Sequence, residues 1–219
     1  MNPATKSARV SRRRALRTFV LAALLLPLAA CGVLPKHEPL ALYRPEVTIV
    51  ADAAWPQVAW QLRIARPYAD DAHDSARILV RPQPGELQVY KGAAWTQPAP
   101  DLVFDTLLRA FGDSGRFGGV GRRGEGIGAD YELLLDLRRF EADYDGGAAP
   151  NARIALGARL VRNDDDRVVA SRVFEADVPA GGTAVPEVQR AFAQGLGTVT
   201  TDLIGWTLAE GRRDAATKR

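Results

Sequence analysis

Tyr131, Leu133, Leu135 and Leu137 alternate with Glu132, Leu134, Asp136 and Arg138 along the stretch YELLLDLRRF, Tyr131–Phe140. Side chains two apart share one face of an extended strand, so this period commits the chain to a sheet with an apolar side. RIALGARLVR (Arg153–Arg162) and RVVASRVFEADV (Arg167–Val178) flank Asn163-Asp164-Asp165-Asp166, a hairpin with a polar turn. Earlier, VAWQLRIA sets Val58, Trp60, Leu62 and Ile64 on one side and Gln61 and Arg63 on the other. Ala76–Arg81 and Glu86–Lys91 read as two shorter strands joined through Pro82-Gln83-Pro84-Gly85.

Two segments change period. After Trp95, the residues Leu102, Val103, Leu107, Leu108 and Phe111 recur at helical spacing, with Asp101 in the first turn and Gly112 placed to end it. Val185, Val188, Phe192, Leu196, Val199, Leu203 and Trp206 step by three and four, which predicts a long amphipathic helix from about Pro186 to Glu210. Gly195, Gly197 and Gly205 weaken that helix and allow a kink. The order β-β-β-α-β-β-β-α predicts an α+β fold: a single domain, with a mainly antiparallel sheet and two helices packed on one face.

The amino-terminal region has a different character. Residues 1–30 hold six basic side chains and no acid, which leaves 23 bases against 26 acids in residues 31–219. The body is mildly acidic and offers no electrostatic reason to bind nucleic acid. The apolar run Phe19–Ala30 contains Pro27 and is too short to cross a bilayer, which takes about 20 residues. It suits the core of a secretory signal peptide. Leu28-Ala29-Ala30-Cys31 resembles a bacterial lipobox, whose cysteine thiol takes a diacylglycerol before cleavage frees its amine. Cys31 is the only cysteine in the chain. Lipidation there would leave no free thiol to an oxidising compartment. The alternatives are a signal peptide cut elsewhere and a short uncleaved anchor. Ser11–Val20 loosely resembles a twin-arginine signal, although a merely basic leader explains it as well. Gly32, where Asp would resemble an inner-membrane retention signal, suggests the outer membrane.

The chain thus divides into a signal peptide (1–30), a lipidated N-terminus and tether (31–56), a folded domain (57–210) and a disordered tail (211–219). Pro35, Pro39, Pro45 and Pro56 punctuate the tether, which has room for one short strand around Val47–Val50.

Catalytic motifs are poor. Gly119–Gly124 (GVGRRG) matches the dinucleotide fingerprint in letters, but a helix precedes it and a strand follows, the reverse of what the phosphate site requires. It reads as a mobile loop, locally basic through Arg116, Arg122 and Arg123 and able to touch anionic headgroups. His73 lies among Asp70, Asp71 and Asp74 without a second histidine or cysteine to complete a metal site, and His37 lies in the tether. Asp164–Asp166 lacks the calcium-loop pattern, and no serine occupies a nucleophile elbow. Trp60 and Trp206 take core positions. Trp55, Tyr68 and Trp95 fall outside element interiors and are candidate partner contacts.

In combination these features resemble one family. The lipobox, LALYRP (Leu40–Pro45), Ala76–Phe111, GRFGGV, ADYELLLDLRRFEADY and VVASRVFEA run in the order found in the ABC-type transport auxiliary lipoproteins, which include the PqiC-like lipoproteins. Val89-Tyr90 departs slightly, since the tyrosine is often doubled there. The resemblance implies a non-enzymatic protein with no cofactor or metal, on the periplasmic face of the outer membrane. It also implies partners: a mammalian-cell-entry-domain protein and an ABC transporter or integral membrane protein, together moving phospholipid or other hydrophobic molecules between membranes. A homo-oligomer is compatible with it. Only Cys31 transfers as a site. An assembly lipoprotein for an outer-membrane β-barrel and a lipid-anchored hydrolase are the rival readings.

Overall fold

A computed structural model of the chain describes residues 39–126 and 128–217. Cys31, the tail residues 218–219 and the leader lie outside the described residues.

The long strand β6 (Tyr131–Asp143) organises everything else. Along one edge it pairs antiparallel with β7 (Asn151–Arg162) over its whole length, and β7 pairs antiparallel with β8 (Arg167–Pro179). Along its other edge it takes two partners end to end. β2 (Gln61–Ile64) runs parallel to its beginning, and β3 (Arg77–Arg81) runs parallel to its end. A single bridge from Tyr68 to Asp136 spans the interval. β5 (Gly119–Arg122) lies parallel to β2; β4 (Gln88–Trp95) lies antiparallel to β3, and β1 (Ala41–Tyr43) parallel to β4. The sheet is mainly antiparallel, as expected, through its long β6–β7 and β7–β8 pairings, but it is mixed, because β2 and β3 run parallel to β6. Ala65–Ala76 is why. Instead of reversing, it carries the chain onward in one direction, so β2 and β3 lie in line beside β6.

A bulge near Arg138 in β6 inverts the alternation. Tyr131, Leu133, Leu135 and Leu137 face the core before it, and Phe140 and Ala142 after it. Both helices pack on that face, and their buried side chains join the sheet's in one hydrophobic cluster. α1 (Ala99–Asp113) starts behind Pro98 and buries Leu102, Val103, Phe104, Leu107 and Phe111. α2 (Val185–Thr217) runs 33 residues, about 50 Å, without interruption. Trp95, Phe140 and Phe192 meet edge to face and tilted, with ring centroids 4.7–5.6 Å apart.

Three boundaries differ from expectation. The first strand is Ala41–Tyr43, not Val47–Val50, and Tyr43, Val47, Ile49 and Trp55 pack against the core, so most of the expected tether belongs to the fold. The helix does not end at Glu210 but continues to Thr217, into the segment read as tail. Its glycines do not interrupt it, and two of them make room for tryptophans. A Cβ on Gly211 would lie 2.5 Å from the Trp60 ring, and one on Gly205 would lie 3.0 Å from Trp55 Nε1.

Candidate functional site: the charged outer face of the sheet

Strand alternation that turns Phe140 and Ala142 inward turns Glu141 and Asp143 outward. Neither carboxylate reaches water, because neighbouring side chains roof them over; Asp143 is 2% exposed. Three arginines compensate. Arg139 Nε lies 3.1 Å from Glu141, and Arg153 Nη1 lies 3.0 Å from Asp143. Arg81 stands 3.6–3.7 Å from both. Arg153 also reaches Asp177 at 3.2 Å, which ties β7 to β8. A buried carboxylate without such partners would cost several kcal/mol in lost hydration. The cluster therefore acts as one unit across β3, β6, β7 and β8.

His73 closes the cluster from the Ala65–Ala76 loop. Its Nδ1 is 2.8 Å from Asp70 Oδ1, its backbone N–H donates to the same oxygen at 2.9 Å, and Nε2 faces Glu141 at 3.7 Å. Glu141, then Asp70, hold the imidazole above its ordinary pKa against the opposing effect of burial. In return His73, Arg139 and Arg81 hold the Glu141 carboxyl below its ordinary value, and the His73 backbone and ring do the same to Asp70. Both ring nitrogens face carboxylates, an arrangement that retains a proton and makes a poor general base.

A second buried charge sits at the far end of the sheet. Asp214, on the last turns of α2, accepts from Tyr131 Oη at 3.0 Å, Arg162 Nη1 at 3.1 Å and Arg167 Nη2 at 2.5 Å. Burial, and then Asp214, push the Tyr131 phenol well above its ordinary pKa. This network pins the segment expected to fray to the start of β6 and to both strands beside the β7–β8 turn.

Comparison with known proteins then decides the family. The model of the ABC-type transport auxiliary lipoprotein component matches residues 41–203. The chain belongs to that family. The auxiliary lipoprotein is 49% identical to a Xanthomonas campestris protein of the DUF330 family, whose crystal structure superposes with a TM-score of 0.78 over 80% of this chain and 99% of that one. A solved structure of an uncharacterised protein, 15% identical, shares the fold with a TM-score of 0.60 over 76% and 97% of the two chains. An uncharacterised Bradyrhizobium diazoefficiens protein is 30% identical over 148 residues, which is 67% of this chain and 39% of the relative's length.

Among the described residues, those singled out in the sequence do not gather into one site: Trp60 and Asp164 line one pocket, Arg122 and Arg123 another, and His73 neither. Gly119–Arg122 of the glycine motif form strand β5 and are not a mobile loop. A turn, not a helix, follows them, so no helix end faces a phosphate there. Arg122 of that motif stacks over Phe104 at 5.4 Å and Arg123 bonds Glu132 at 2.9 Å. Asp164 and Asp165 pair with Arg162 in the hairpin turn. Among the described residues, no three His, Cys, Asp or Glu side chains are grouped to hold a metal ion, and no helix is long and apolar enough to cross a membrane. Trp95 is a core residue at the end of β4 and offers nothing to a partner, Trp55 is half-buried, and Tyr68 is 71% exposed. Sequence reasoning missed Glu141, Asp143, Arg153 and Asp214. The strand alternation through Phe140-Glu141-Ala142-Asp143 held the signal for the first two.

Proposed function

We propose that this auxiliary lipoprotein is a non-catalytic docking subunit, anchored through acyl chains on Cys31 to the periplasmic face of the outer membrane. It serves a transport system built from a mammalian-cell-entry-domain protein and an ABC transporter or integral membrane partner, with lipids or other hydrophobic molecules as cargo. The observation that carries the reading is the family match over residues 41–203, next to a lipobox ending at Cys31 and followed by Gly32. The placing of both His73 ring nitrogens against carboxylates supports a binding role over a hydrolytic one.

Physically, two or three acyl chains hold firmly where one holds marginally, since each buried CH₂ is worth about 0.8 kcal/mol. The short link from Cys31 to β1 keeps the folded body close to the bilayer. Proximity then raises the effective concentration of the body against a partner's tip without requiring a very tight interface.

Two measurements test this. Radioactive fatty acid supplied to cells should label the natural protein and not Cys31→Ser; equal labelling refutes acylation at that position. Crosslinking in intact cells should recover a cell-entry-domain protein. Recovery of an outer-membrane β-barrel in its place would identify an assembly lipoprotein and overturn the docking reading.

A further inference from the structure

The edge formed by β1 and β4 carries an apolar patch that the charged cluster does not explain. Tyr43, Ala93 and Trp95 turn toward the core, and Ala41 pairs with Ala93 and Tyr43 with Trp95. The alternation therefore places Leu40 and Leu42 on the opposite, outer face, where both are 60% exposed. Leu42 pairs with Ala94, and Ala94 with Arg77 on β3. Past the bend at Gly92, whose φ is +69°, Val89 pairs with Leu79, which in turn lies beside the outward-facing Glu141. Val89 is thus on the same outer face and is itself exposed. Arg77 and Lys91 stand exposed among these apolar side chains. Leucine and valine bordered by cations is the composition that lies in a phospholipid interface, with chains below and phosphates beside.

What covers the patch is argued from the chain itself. Leu40 follows Cys31 by nine residues, and nine extended residues reach at most about 30 Å. Had the first strand begun near Val47, or the tether run to Pro56, the folded body could stand well away. It begins at Ala41.

We infer that the outer face of the β1–β4 edge, through Leu40, Leu42 and Val89 with Arg77 and Lys91 at its border, rests on the phospholipid bilayer that holds the anchor. This rests on the acyl anchor at Cys31. The contact orients the body, so that the opposite end of the sheet, with β8, faces away from the membrane toward partners.

The test uses the acylated full chain in vesicles of phosphatidylethanolamine with a minor fraction of phosphatidylglycerol. Acylation consumes the Cys31 thiol, so Leu42→Cys and, separately, Val173→Cys each offer one site for an environment-sensitive dye. Val173 is exposed on β8 and serves as the distant control. In the fraction that floats with vesicles, the dye at position 42 should shift to the blue and escape a water-soluble quencher, while the dye at position 173 should do neither. Flotation with position 42 as wet as position 173 overturns the contact and leaves the anchor standing. Failure to float overturns the anchor and the contact with it. A blue shift that grows with the protein-to-lipid ratio assigns the patch to a second copy of the chain and overturns the bilayer as its occupant.

Discussion

Protonated His73 sets one positive charge between Asp70 and Glu141, and that single proton couples a loop to the middle of the sheet. Its folded pKa is raised, so its stabilising contribution is fully present below the ordinary histidine value and fades as pH rises through the folded one. Glu141 and Asp70 have lowered pKa values, so theirs is present above the ordinary carboxylate range and is lost as pH falls through the folded values. The two windows overlap in mildly acidic solution, between ordinary carboxylate and ordinary histidine titration. The natural protein should therefore lose melting temperature between about pH 6 and pH 9, by a margin that His73→Gln abolishes. Thermal unfolding of both forms across that range checks it. Parallel curves for the two would show that the His73 proton contributes nothing.

At the scale of elements, the far end of α2 is held by a carboxylate and not by its own propensity. Gly205 and Gly211 weaken the helix locally, yet they let it lie flat on Trp55 and Trp60. Asp214 then joins helix, β6 and hairpin through one buried group. Asp214→Asn keeps the shape but strands Arg162 and Arg167 with less negative charge nearby, and should lower unfolding stability by about 2–3 kcal/mol. Amide hydrogens over 205–217 should exchange much faster. Glu210→Gln removes a surface pairing to Arg213 one turn earlier, and should change stability by less than about 0.5 kcal/mol. Chemical denaturation and hydrogen exchange on the two variants separate the cases; equal effects would deny the buried network its role.

The same elements mark what a sequence discloses. Tyr131–Leu137, the Asn163–Asp166 hairpin and both helices were legible, because each writes its period or turn locally. Three things were not. The bulge near Arg138 costs one residue of register and has no compositional mark. The parallel pairing of β2 and β3 with β6 depends on a tertiary choice of partner, which the Pro- and Asp-containing loop between them conceals. Asp70 is local to His73, but Glu141 lies 68 residues away and meets it only through the sheet. Asp214 read as tail because its three partners come from three separate strands.

At the scale of the whole molecule, the amino-terminal segment decides how far the body would stand from the anchor proposed at Cys31. Residues 40–56 carry the prolines of a tether, yet they fold: β1 adds a strand to β4, Val47 and Ile49 lie by Gly197, and Trp55 lies by Gly205. A protease that cuts ahead of apolar residues should thus spare this segment. It reaches the bonds only when the segment opens, and then the cutting rate follows the open population. Ile49→Ser removes half-buried apolar area worth about 1–2 kcal/mol, which corresponds to roughly a tenfold larger open population. Cleavage between Leu40 and Pro56 should accelerate by that factor in the variant, while cleavage in the β7–β8 hairpin turn stays unchanged. Mass spectrometry of the early fragments gives both rates from one digest. Rapid cutting of the natural protein throughout this segment would return it to the role of a free tether, lengthen the reach from the anchor proposed at Cys31 well beyond nine residues, and remove the ground for the proposed contact with the bilayer.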